Sequence, residues 1–138
     1  MKNIHECVSF LILQNDKILL EKRSEQKETD PGLIAIPGGH IEGNETNVQA
    51  LIRELKEELN IEPVSHQYIC SLYHPTKELQ LIHYFVVKSW QGEMITLEAD
   101  EVGWYPLENA PIGIEADKVA LLEFQRLRYT LKLDLAES

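Results

Sequence analysis

The stretch Gly38–Ile61, GGHIEGNETNVQALIRELKEELNI, decides how the rest of the chain is read. It opens on two glycines, crosses a short polar loop and ends in a run with helical spacing. Thr46 is placed to cap that helix, and Glu45 beside it lies where the helix dipole favours negative charge. At about 100° per residue, Val48, Leu51, Ile52, Leu55 and Leu59 fall within roughly 100° of one another, an apolar stripe predicted to face the core. Glu54, Glu57 and Glu58 span a second arc of similar width, directed away from that stripe. Like charges at this spacing cost a few tenths of a kcal/mol per pair. Arg53 and Lys56 lie beside the acidic arc rather than within it, so they relieve the repulsion only in part. One reading is a solvated acidic face. The other is a site for a hard divalent cation, which takes carboxylate oxygens and keeps waters and phosphate oxygens. Gly38 and Gly39 favour the second reading, because a backbone without Cβ atoms can approach an ion or a phosphate. Glu45 and Arg53 are spaced to pair and pin the loop to the helix.

Upstream, His5–Gln14 is rich in apolar and β-branched residues and predicts a buried strand, with Ile18–Arg23 as its hairpin partner across a turn. Ser24–Gly32 reads as a polar loop, and Leu33–Ile36 as a short strand stopped by Pro37, Gly38 and Gly39. Downstream, His66–His74 and Leu79–Trp90 predict two long strands and Glu101–Leu107 another. Ala116–Leu133 predicts a C-terminal helix. Strands before, between and after two helices imply a mixed α/β domain, and 138 residues fit one domain, 1–138, with one core.

The formal net charge of −10 argues against binding a nucleic-acid polymer, which needs a basic face. It is compatible with a small phosphate-bearing ligand that arrives with a cation. No apolar run is long enough to span a membrane, and the N-terminal residues are too polar for a secretory signal, so the expected location is the cytoplasm. Cys7 and Cys70 are not in a C-x-x-C pair and predict neither a disulfide framework nor a zinc site.

From Gly39 the stretch runs Gly, five residues, Glu45, seven residues, then Arg53-Glu54-Leu55-Lys56-Glu57-Glu58-Leu59-Asn60-Ile61. This resembles the signature of the Nudix hydrolases, and the flanking segments resemble its MutT-like branch. The family carries Gly where this chain has Asn60, a residue that also tolerates the left-handed helix end. The resemblance implies the Nudix fold, an α/β/α sandwich with a mixed sheet. It also implies Mg²⁺- or Mn²⁺-dependent hydrolysis of a nucleoside diphosphate linked to another group. Carried over by position, Glu54, Glu57 and Glu58 are expected to hold the metal together with the Gly38 carbonyl. Gly38 and Gly39, whose backbone can approach a phosphate, are expected to contact substrate. Arg53 and Glu45 are expected to hold the loop and helix in shape. Glu54 is the first choice of general base. Glu101 is the second, with an exposed acidic loop around Glu98 and Asp100 as the alternative. Arg23 matches a position that contacts substrate phosphate; a surface arginine is the equal alternative.

The expected reaction is cleavage of a nucleoside triphosphate to the monophosphate and pyrophosphate. Ile114 or a neighbour stands where the oxidised-guanine enzyme is expected to carry an Asn, which puts that specificity in doubt. Pro75, 14 residues past Ile61, keeps an ADP-ribose or other nucleoside-diphosphate-sugar pyrophosphatase as the alternative. A non-catalytic nucleotide-sensing module ranks behind both, since the metal-binding glutamates are all present. Tyr73, Tyr84, Phe85, Trp90 and Trp104 are candidates for stacking on a base or, more simply, for the core. His40, His66, His74 and His83 show no ligand spacing and receive no role. Many relatives are dimers, which slightly favours a homodimer.

Overall fold

The computed structural model describes residues 3–95 and 101–130. Its organising element is β1 (Ile4–Gln14), in which Cys7 to Leu13 are all buried. A strand apolar on both faces needs a layer on each side. Val8, Phe10 and Ile12 pack towards helix α1 (Asn47–Leu59), with Ala50, Leu51, Leu55 and Leu59. Cys7, Leu11 and Leu13 pack the other way, with Ala120, Leu121 and Phe124 of helix α2 (Glu115–Leu127). The result is an α/β/α sandwich.

β1 pairs in parallel with β6 (Leu79–Gln91), from Ile4 opposite Leu79 to Ile12 opposite Val87, and β6 pairs antiparallel with β5 (Glu62–Pro75). On its other side β1 is shared. Its C-terminal end turns through Asn15 and Asp16, at φ 52° and 59°, into β2 (Lys17–Lys22). Asn and Asp tolerate these left-handed angles, which a tight hairpin turn demands. β2 in turn pairs with β3 (Ile34–Ala35) and β7 (Glu101–Pro106).

The N-terminal half of β1 pairs with β4 (Gly38–His40), which the sequence reading took for the end of a strand and not for a strand itself. The glycines are what make this pairing close. A Cβ at Gly38 would collide with the Val8 carbonyl oxygen, and one at Gly39 with the Glu54 carboxylate.

Helix α1 begins as expected at Thr46, whose Oγ1 accepts from Gln49 N at 3.1 Å. Gln49 returns the bond, Oε1 accepting from Thr46 N at 2.9 Å, so both ends of a capping box are closed. Asn60 ends the helix at φ 60°, ψ 33°, and its N–H reaches the Leu55 and Lys56 carbonyls. The Asn60 side chain also donates to Glu93 O at 3.3 Å. Asn therefore fills the left-handed cap without a glycine.

The expected stripe needs one correction. Ile52 is 43% exposed, whereas Glu54 is 6% exposed. The buried face of α1 runs through Ala50, Leu51, Glu54, Leu55 and Leu59. Gly39, lacking a Cβ, leaves room for a carboxylate on the inner side, and the helix turns its acidic arc partly inwards. β5 starts at Glu62, earlier than the expected His66, and α2 closes at Leu127. The last three residues of the expected helix, 131–133, lie outside the described residues, as do Glu98 and Asp100. Among the described residues no helix is long and apolar enough to cross a membrane.

Candidate active site

β4 and α1 meet over a cavity of about 500 Å³. Gly38 and Gly39 line it, and so do Glu54, Glu57 and Glu58 from the helix and Arg23 from the end of β2. The structure thus gathers seven of the eight expected site residues into one place, counting Arg53 through its bonds to two of these glutamates.

Arg53 lies inside the acidic arc, contrary to expectation. Its Nε and Nη2 grip Glu45 at 2.6 and 2.9 Å in a bidentate pair. Its Nη1 donates to Glu54 Oε1 at 2.8 Å and to Glu57 Oε2 at 3.1 Å, and Nη2 also donates to His40 O at 2.9 Å. One guanidinium therefore ties the loop, β4 and two turns of α1 together. Helical-wheel geometry missed this because Arg53 reaches along the helix surface, beyond its own arc. The Arg53 hydrogen bond, followed by the Glu42 backbone N–H, lowers the Glu45 carboxyl to about 2. The same pairing pushes Arg53 further up.

The donors offered to a ligand are hard oxygens. Glu57 is about half exposed, while Glu54 is nearly buried. Glu58 Oε2 is itself buried. Three carboxylates beside a glycine-bearing strand fit a small, hard cation such as Mg²⁺ better than a soft one. The cradle is tight, since any side chain at position 39 would occupy the space of the Glu54 carboxylate.

Arg23 faces the cavity but is also tethered, donating from Nε to Thr29 O and from Nη2 to Thr29 Oγ1, both at 3.0 Å. Glu101 does not join the others. It is exposed at the start of β7, in register with Lys22, and does not line the cavity. The aromatic candidates do not line it either. Tyr84 and Phe85 are core residues, Trp90 and Trp104 pack against the α1-side core, and Tyr73 is 58% exposed.

Asp117, not foreseen from the sequence, closes the cavity from the α2 side. It is 2% exposed and accepts from Ile36 N at 2.9 Å and from the Tyr84 hydroxyl at 2.6 Å. Burial pushes its carboxyl up to about 6, against the pull of those two hydrogen bonds. A lone Asp in an amphipathic helix carries no sequence signal for such a role. Cys7 also lines the cavity, but burial pushes its thiol up to about 12, which removes thiolate chemistry at neutral pH.

The model of the NUDIX domain matches residues 4–127. The chain belongs to the NUDIX family. It is similar to the CTP pyrophosphohydrolase of Escherichia coli K12, with 33% identity over 79% of this chain and 87% of that protein. It is also similar to the 8-oxo-dGTP diphosphatase of the same organism, with 29% identity over 85% and 88% of the two chains. A crystal structure of a MutT NUDIX hydrolase from Burkholderia pseudomallei shares the fold at a TM-score of 0.80, with 24% identity over 88% of this chain and 98% of that one. The Nudix chain described here is accordingly MutT-like and a hydrolase of phosphorus-containing anhydrides.

Proposed function

We propose that the protein is a Mg²⁺-dependent pyrophosphohydrolase that cleaves a nucleoside triphosphate to the nucleoside monophosphate and pyrophosphate. The observation that carries this reading is the convergence of Glu54, Glu57 and Glu58 with Gly38 and Gly39 on one cavity, with Arg23 on its wall. In this reading Glu57, Glu58, Glu54 and the Gly38 carbonyl hold the cation, with Mn²⁺ as a substitute for Mg²⁺. The cation supplies charge neutralisation of the diphosphate. Glu54, the least exposed of the three, takes the proton of the attacking water. Water oxygen bonds to phosphorus, the bridging P–O bond breaks, and the leaving phosphate group departs with the electron pair. Arg23 binds a phosphate oxygen, and Arg53 with Glu45 keeps the glutamates aimed.

Two similar proteins bear names of enzymes acting on nucleoside triphosphates, which supports the substrate class. Pro75, the feature behind the ADP-sugar alternative, ends β5 and does not line the cavity, so it lends that alternative no contact. Both cysteines are free thiols, which fits a reducing compartment such as the cytoplasm. The test is a panel of canonical and oxidised nucleoside triphosphates, ADP-ribose and diadenosine polyphosphates at fixed Mg²⁺. A triphosphate should give the highest kcat/KM, with pyrophosphate as product. A higher kcat/KM for ADP-ribose than for every triphosphate overturns the proposal.

A further inference from the structure

Three side chains outside the glutamate cluster, His5, His40 and Glu78, meet one another, and the last two line the same cavity. His5 lies on β1, two residues before Cys7, and His40 ends β4 directly opposite Cys7. Glu78 stands two residues before Gln80, which pairs with His5 across the parallel β1–β6 ladder. Side chains two apart on a strand share a face. Two adjacent strands and the bend that leads into β6 therefore bring two imidazoles and a carboxylate together.

Their geometry is that of a ligand set. His40 Nε2 is 2.7 Å from Glu78 Oε1, and His5 Nδ1 is 3.4 Å from Glu78 Oε2. One donor atom from each of the three lies within 4.8 Å of the other two. Donors bound at about 2.1 Å to one tetrahedral ion stand roughly 3.4 Å apart, so only side-chain rotation separates this cluster from coordination. Gln80 Nε2 donates to Glu78 Oε1 at 2.8 Å, the kind of outer hydrogen bond that orients a ligating carboxylate. The two imidazole rings are edge-on at 89°, with centroids 6.2 Å apart, so they do not stack and exclude an ion.

We propose that His5, His40 and Glu78 form a second cation site, distinct in chemistry from the glutamates of α1. Two nitrogens and one carboxylate suit a borderline ion such as Zn²⁺, whereas Mg²⁺ prefers the all-oxygen set. Three protein ligands leave a fourth position open. His40 and Glu78 also line the cavity, so an ion held there would sit beside the substrate space. Sequence spacing gave no hint of the site, because its ligands are 35 and 38 residues apart and converge only through strand pairing.

The test is Zn²⁺ titration by calorimetry, with Co²⁺ absorption as a second readout, on a Glu57→Gln/Glu58→Gln background that removes the oxygen site. One Zn²⁺ per chain should still bind there. Adding His5→Ala, a change at an exposed position, should weaken Zn²⁺ by at least about tenfold and shift the Co²⁺ spectrum away from that of the two-nitrogen set. In the otherwise unchanged protein His5→Ala should leave Mg²⁺-dependent hydrolysis intact, which also shows that the variant folds. The inference is overturned if Zn²⁺ binding vanishes with the two glutamates alone, or if His5→Ala leaves Zn²⁺ affinity unchanged.

Discussion

The two helices flank one cavity and each brings a carboxylate to it, yet Glu54 of α1 and Asp117 of α2 are held in opposite ways. Both are almost buried, at 6% and 2% exposure. Glu54 rests against a guanidinium, with Arg53 Nη1 at 2.8 Å. Asp117 is met by two neutral donors, a backbone N–H and a tyrosine hydroxyl. A positive partner favours the charged form of a buried acid. Neutral hydrogen bonds offset only part of the desolvation cost, which is why Asp117 is pushed up to about 6. The difference separates a carboxylate bonded to an arginine on its own helix from one that ties α2 to Ile36, just after β3, and to β6.

The largest effect expected from this contrast is on catalysis at the α1 side. Glu54→Gln keeps the shape but removes the charge, and kcat/KM should fall about 10²- to 10⁴-fold while the thermal midpoint moves by only a few degrees. Steady-state kinetics with Mg²⁺ and a calorimetric melt check both halves. Should activity survive, Glu54 is not the base.

Next in size, Asp117→Asn should show the reverse pattern. An amide can accept from one of the two donors but presents N–H groups to the other. Stability should drop by about 1–3 kcal/mol in urea unfolding, with kcat lowered far less than in Glu54→Gln. Tyr84→Phe should reproduce part of that loss, and the double variant should be less than additive.

The pH dependence sharpens the comparison because the signs differ. Asp117 binds its proton more tightly when folded, so its contribution is complete below its usual 3.8 and is lost as pH rises through about 6. Glu45 binds its proton less tightly when folded, so its contribution is complete above its usual 4.5 and is lost as pH falls towards about 2. Melting midpoints against pH should lose their acid limb in Glu45→Gln and flatten between pH 4 and 6 in Asp117→Asn. Identical profiles for the two variants would contradict the assignment. The smallest effect is expected at the helix end: Asn60→Gly trades a left-handed Asn for an easier Gly but loses the bond to Glu93, and stability should shift by no more than about 0.5 kcal/mol.

Much of this architecture was legible in local pattern. The run of apolar residues in β1 implied a buried strand, and the Thr46 and Asn60 caps were readable because each acts within a few residues. What stayed hidden depends on distant partners. β4 was taken for a stop signal because its glycines make sense only against Val8 and Glu54, which the fold brings to them. The inward turn of Glu54 and the exposure of Ile52 were misjudged because a helical wheel locates a stripe but not the surface it meets. Asp117 gave no signal, since its two donors are 81 and 33 residues away in sequence.

In the proposed mechanism the carboxylates of α1 grip a divalent cation against a diphosphate. Calorimetric titration of Mn²⁺, alone and with a non-hydrolysable nucleoside triphosphate, tests it most directly. Mn²⁺ uptake should tighten when nucleotide is present and be lost in Glu57→Gln/Glu58→Gln. Equal uptake by the wild-type protein and that variant, with nucleotide bound, would contradict it.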